Sequence, residues 1–243
     1  MRKRPDLYTN YKSESAIFST LTQKAWFTVL VFTSLLLPFY LNNYWMLLVT
    51  TSLLIAIASW GLNIVSGMAG QINLAHGVFV GIGAYTSAVI GGVATSSVIG
   101  FELDMIFWLP ISGIVSALIG IIISPVSARL KGLNLGLVTL AIVFIGSHFF
   151  SNLKFITGGA GLGRKAAKLK FLGVDLDSGL TIGNLILEKN DVIYYFSLIL
   201  CILLGIGAKN LTRTKIGRAF SAIRDRDIAC LLYTSDAADD DHC

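Results

Sequence analysis

Asn63, Gln71, Asn73 and His76 stand inside a glycine-rich apolar stretch that reads GLNIVSGMAGQINLAHGVFVGIGAYTSAVIGG from Gly61 to Gly92. Amides and imidazoles offer both donors and acceptors, so they can hold an ammonium or a carboxylate without carrying charge themselves. Left unpaired in hydrocarbon, each would cost several kcal/mol. Such groups within an apolar run therefore face protein or water, and irregular polar backbone at membrane depth lines a cavity. Tyr85, at helical spacing from Gly81, is a further candidate wall of the same path. The plainer roles are a packed imidazole for His76, interhelical hydrogen bonds for Gln71 and Asn73, and a core position for Tyr85. Glycines at Gly70, Gly77, Gly81 and Gly83 allow helices to approach closely or break.

Other chemistries find less support. Acid-base or metal catalysis needs paired titratable groups, whereas the apolar segments hold no Asp or Glu beyond Asp191 at the edge of the last and place His76 and His148 far apart in the chain. No metal, no cofactor and no enzyme activity are expected. FITGGAGLGRK has the glycine spacing of a phosphate loop at Gly158 and Gly163. Arg164 stands where the lysine belongs, however, Lys165 and Ala166 follow, and no strand precedes. Gly158 and Gly159 are thus expected to shape a tight loop. Thr139 and Ser147 read as helix-packing hydroxyls. An ion-coupled secondary transporter would share the broken helix, but the lack of intramembrane carboxylates argues against proton coupling.

The elements that must position these residues are membrane spans. Of 243 residues 54% are hydrophobic and only 14% charged, with mean hydropathy +0.73, against about a quarter charged in soluble domains. Segments of roughly 20 apolar residues, enough to cross a bilayer, fall at about 25–41, 45–66, 77–99, 106–127, 133–151 and 191–208. The expected fold is an all-α polytopic bundle of about six spans. Trp26, Tyr40, Tyr44 and Trp45 flank the first two as interfacial aromatics do. The polar start, residues 1–24, reads as a retained cytoplasmic tail rather than a signal peptide.

Lysine and arginine enrichment marks the cytoplasmic side. Arg2, Lys3, Arg4, Lys12 and Lys24, then Arg129 and Lys131, then the cluster from Lys209 to Arg226 all fall inside if the N-terminus is inside. The acidic loop of Glu102 and Asp104 and the long loop at about 152–190 fall outside, although that loop carries six basic residues beside Asp175, Asp177 and Glu188. The net charge of +5 thus sits in clusters beside apolar runs and implies membrane lipid, not nucleic acid, as its partner. Cys201, Cys230 and Cys243 suggest no disulfide framework.

After the last span, residues 209–229 read as a coupling segment. From Thr214 the pattern is a short amphipathic helix with Ile216, Phe220 and Ile223 on one face, suited to a membrane surface or a groove on another protein. Residues 230–243, CLLYTSDAADDDHC, break with everything before them and resemble translated adapter sequence, so the native chain is expected to continue beyond Ala229.

Four stretches carry a family resemblance: GLNIVSGMAGQINLAHGVFVGIGAYTSA, LKGLNLGLVTLAIVF, FITGGAGL and TKIGRAFSAIRDRDIA. In this order, across most of residues 35–229, they resemble the inner-membrane permease subunits of branched-chain amino acid ABC transporters, LivM-like rather than LivH-like. INLAHG leans toward the sister permease; the TGG element and the charged ending lean back. The resemblance implies a multi-pass protein of a bacterial-type cytoplasmic membrane working with a second permease subunit, two cytoplasmic ATPase subunits that bind the ATP, and a periplasmic or extracellular substrate-binding protein. Gly217, Arg218, Ala219, Ala222, Ile223, Arg224 and Asp225 match the family's coupling pattern and would seat in the ATPase groove. Closely similar permeases handle urea or short amides. Family chains also have further spans after the coupling loop, which this sequence lacks.

Overall fold

The computed structural model of the chain describes residues 21–95, 98–130, 132–159, 163–171, 173–176, 179–182, 185–220, 222 and 224. Residues 1–20, Ile223, Asp225 and the stretch expected to be non-native lie outside these. The chain divides into two compact units, one of Met1–Gly61 with Ile193–Cys243 and one of Leu62–Val192.

In the first unit, helix α1 (Leu21–Leu36) tightens into a 3₁₀ turn at Leu37–Phe39. Pro38 causes this, because it has no N–H to give the Ser34 carbonyl four residues back. The missing donor comes from α7 (Lys189–Leu211): the Tyr194 hydroxyl donates to the Ser34 carbonyl at 2.7 Å, and the Tyr195 hydroxyl to the Leu35 carbonyl at 3.0 Å. Tyr194 is fully buried and clusters with Met46 and Leu198, while Leu37, Leu41, Val49 and Leu53 pack around them. Helix α2 (Asn43–Asn63) supplies Met46, and its Trp60 ring lies where an added Cβ on Gly205 would come within 2.6 Å. Trp26, Tyr40, Tyr44 and Trp45 are all exposed.

The second unit begins where α2 runs into a π turn at Ile64–Met68, closed by bonds from the Ala69 and Gln71 amides to the Ile64 and Val65 carbonyls. Residues 69–75 are not helical. Helix α3 (His76–Gly91) follows, then α4 (Met105–Ala128), α5 (Leu133–Asn152) and the single turn α6 (Lys154–Thr157). Two small antiparallel hairpins decorate the loop before α7: β1 (Lys170–Phe171) with β2 (Val174–Asp175), and β3 (Leu180–Ile182) with β4 (Leu185–Leu187).

Among the described residues, five helical segments are long and apolar enough to cross a membrane: Leu21–Phe39, Asn43–Met68, Met105–Ser127, Leu133–Asn152 and Lys189–Leu211. The helix expected over 77–99 ends early, at Gly91, and α3 has only 16 residues. At the α-helical rise it is about 24 Å long, shorter than a hydrocarbon core of about 30 Å. Its end is set by tertiary capping. The returning loop donates from Phe101 to the Val89 carbonyl, from Leu103 to Ile90 and from Glu102 to Gly92, and Lys168 donates to Gly91. Those bonds take the carbonyls that a longer helix would have paired internally.

Candidate substrate path and coupling segment

Four of the five expected path residues sit at or beside the helix break. Asn63 is exposed on the last turn of α2 and lies over Gly67, whose backbone leaves no room for a Cβ beneath the amide. Gln71 is half-buried in the non-helical run. Asn73 turns back on the chain, its Oδ1 accepting from the Ala75 amide at 3.0 Å, so it organises the entry to α3. His76 opens α3, and its Nε2 is buried with no hydrogen-bond partner among the described residues. Tyr85 lies two turns further on.

Thr139 was read from the sequence as simple packing, and it does more. Its hydroxyl donates to the Gly136 carbonyl at 2.9 Å and accepts from the Leu74 amide at 3.2 Å, and the residue is 5% exposed. One buried hydroxyl on α5 therefore satisfies an unwound backbone amide 65 residues away, the type of group that hydrocarbon does not tolerate unpaired. No local spacing could have indicated this pairing.

Helix α3 packs between α4 and α5 through glycine. A Cβ on Gly81 would fall 2.7 Å from the Phe150 ring, one on Gly83 3.2 Å from Ser116 Oγ, and one on Gly146 2.6 Å from Val78. Ser116 Oγ also donates to the Phe79 carbonyl at 3.3 Å. Gly77, of the same sequence spacing, meets nothing within 4 Å, whereas Gly70 has a φ of +66° that a side chain would strain.

Two cavities open along this seam. One of about 560 Å³ is almost wholly apolar, walled by residues such as Ile82, Val115, Ile119, Ile142 and Phe149. The other, of about 350 Å³, is bordered by Tyr85, Ser147 and Ser151 with the backbones of Gly77 and Gly159. Tyr85 borders both, while Asn63, Gln71, Asn73 and His76 border neither. Ser147, Ser151 and Gly159 are thus cavity residues that sequence spacing did not single out for that role.

The TGG element closes one end of this unit. Thr157, 2% exposed, donates to the Leu153 carbonyl and accepts from the Gly159 amide, while Gly158 and Gly159 have φ of +82° and +77°. Arg164 straps the loop, donating through Nη1 to the Ile156 carbonyl at 2.9 Å and through Nη2 to the Ile99 carbonyl. Burial pushes its guanidinium below the ordinary value. Both terminal nitrogens thus serve the loop's backbone, while Nε is buried without a partner among the described residues. Among the described residues no group of His, Cys, Asp and Glu is arranged to hold a metal ion.

In the first unit, helix resumes at residues 215–220 after Thr214. The Thr214 hydroxyl donates to the Leu211 carbonyl at 2.7 Å and lies 3.5 Å from the Gly217 amide, in the position of an N-cap. Gly217 is buried against the Leu211 and Thr212 carbonyls, so its lack of a side chain serves the turn after α7. Arg218, Ala219, Ala222 and Arg224 are exposed, as is Ile216. Ile223 and Asp225 lie outside the described residues.

A profile described as branched-chain amino acid transport system, permease component, matches residues 44–232. Two relatives, each a high-affinity branched-chain amino acid transport system permease protein LivM, come from Salmonella typhimurium (strain LT2) and Escherichia coli (strain K12). Both are 29% identical over 226 residues, covering 87% of this chain and 51% of the relative. The chain therefore spans about half the length of the curated relatives it matches. No solved structure gives a significant match.

Proposed function

Because the chain belongs to the branched-chain amino acid transport permease family, matched over residues 44–232, we propose that it is the membrane-embedded permease subunit of an ATP-driven importer of branched-chain amino acids. In this reading the interrupted stretch from Ile64 to His76 and the cavities beside α3 form part of the passage. The hydroxyls of Tyr85, Ser147 and Ser151 meet the substrate's polar head, and the apolar chamber suits its side chain. Asn73, with Thr139, keeps the break hydrogen-bonded, while Asn63, Gln71 and His76 stand beside it. A second permease subunit completes the path, a substrate-binding protein delivers to it from outside the cytoplasmic membrane, and two ATPase subunits bind the ATP. The N-terminus is cytoplasmic, on the same side as residues 209–224.

The exposed face of that segment, Arg218, Ala219, Ala222 and Arg224, together with Ile223 and Asp225, is what the ATPases grip, while Gly217 sets the turn that presents it. A single observation carries the reading: one family match, residues 44–232, spans the helix break, the cavities and the basic segment.

The test is uptake by the full-length protein, expressed with its partner subunits in cells lacking their own branched-chain amino acid importers. Accumulation of labelled leucine, isoleucine and valine, abolished when the ATPase subunits are inactivated, is the expected result. Uptake of urea without leucine would replace the substrate assignment, and leucine uptake that survives ATPase inactivation would replace the energy source.

A further inference from the structure

Val78, Tyr85 and Phe150 border both cavities of the second unit, so these three side chains form the wall between the apolar chamber and the hydroxyl-bearing one. The wall is seated on bare backbone. Phe150 of α5 presses on Gly81 of α3, and Val78 of α3 presses on Gly146 of α5, each at a distance that a Cβ would not permit. Val78, Gly81 and Tyr85 fall at i, i+3 and i+7 on one face of α3, and Gly146 and Phe150 at i and i+4 on one face of α5. The contact is therefore reciprocal: each helix offers a glycine to the other's knob. The Tyr85 ring leans on Phe150 with centroids 4.9 Å apart and planes at 37°.

A ring in a packed protein interior has neighbours on every side and nowhere to go. Here both rings are half-buried and border open volume, so a change of χ1 has room that a packed interior denies. The glycine seats give the closed position its definition, because the Phe150 ring edge rests directly on main chain.

We propose that Val78, Tyr85 and Phe150 form a size-selective partition in the path: turning the two rings joins the chambers and admits a small amphiphile with a compact apolar body and a polar head. The proposal rests on the transport reading above and adds which side chains set its size limit.

Two measurements on the full-length protein with its partner subunits test it. In membrane vesicles, Phe150→Ala is expected to raise phenylalanine uptake relative to leucine about tenfold, the discrimination that one or two methylenes in an apolar pocket supply. Phe150→Leu is expected to give a smaller rise and carries the test should the alanine variant fail to reach the membrane. Independently of transport, Ile119→Cys in the apolar chamber, with the native cysteines replaced by serine, should react several-fold faster with a small polar maleimide once Phe150 is truncated. An unchanged uptake ratio together with an unchanged labelling rate overturns the partition. Wild-type vesicles that accumulate no amino acid overturn the transport reading and leave the labelling rate to judge the wall.

Discussion

Two of the helix interruptions in this chain are mended in opposite ways. At Pro38 the carbonyls of Ser34 and Leu35 are met by the hydroxyls of Tyr194 and Tyr195, and Tyr194, Met46 and Leu198 seal the place with apolar contact. At Ile64–Ala75 the exposed backbone is met by short side chains, Thr139 for the Leu74 amide and Asn73 for the Ala75 amide. The helix that follows this break is flanked by two cavities instead of a sealed cluster. Large aromatic donors fill volume while they bond, so they lock a break. Small polar acceptors leave room. The first interruption has the character of a structural joint and the second that of a segment placed beside open volume.

This contrast can be broken most forcefully at the joint. Tyr194→Ala removes a buried ring and its hydroxyl together and is expected to destabilise the protein by about 3 to 5 kcal/mol, as large core truncations do. Thermal unfolding in detergent, followed by near-ultraviolet circular dichroism, should show a large drop for this variant and a smaller one for Tyr194→Phe. A drop of equal size for both would mean that the ring's volume contributes nothing. At the other break the expected cost is less. Thr139→Val keeps the shape but leaves the Leu74 amide without its acceptor, about 1 kcal/mol or roughly fivefold faster amide exchange there. Thr139→Ser should restore protection, and unchanged exchange at Leu74 in the valine variant would remove Thr139 from the argument. Smallest is Asn73→Ala, which takes away a turn-capping acceptor worth about 0.5 to 1 kcal/mol. Its effect should appear at the Ala75 amide and leave Leu74 untouched. Equal changes at both amides would show that the run opens as one piece rather than at separate anchors.

Much of the architecture was readable along the chain because a bilayer imposes its demand locally: each span must be apolar by itself and about 20 residues long. Segments near 25–41, 45–66, 106–127, 133–151 and 191–208 accordingly agree with helices to within a few residues. The helix in the third segment ends sooner than expected because apolar composition says nothing about which loop will cap a helix, and α3 stops where Phe101, Leu103 and Lys168 reach its carbonyls. Glycine spacing had the same limit. Gly77 and Gly81 look equivalent in sequence, yet Gly81 receives Phe150 and Gly77 meets nothing. Gly217, matched to the coupling pattern, turns out to be buried in its own turn while its neighbours are exposed.

Composition and order along the chain alone established a helical membrane protein, the polar glycine-rich interruption at its centre and the resemblance to branched-chain amino acid permeases, since these depend on solvent and on local pattern. Tertiary structure decided which hydroxyl serves which orphan amide, where α3 stops, and that Tyr85, Val78 and Phe150 border both cavities. Those outcomes depend on residues brought together from separate helices, and a hydrogen bond or a glycine seat exists only once both partners are in place.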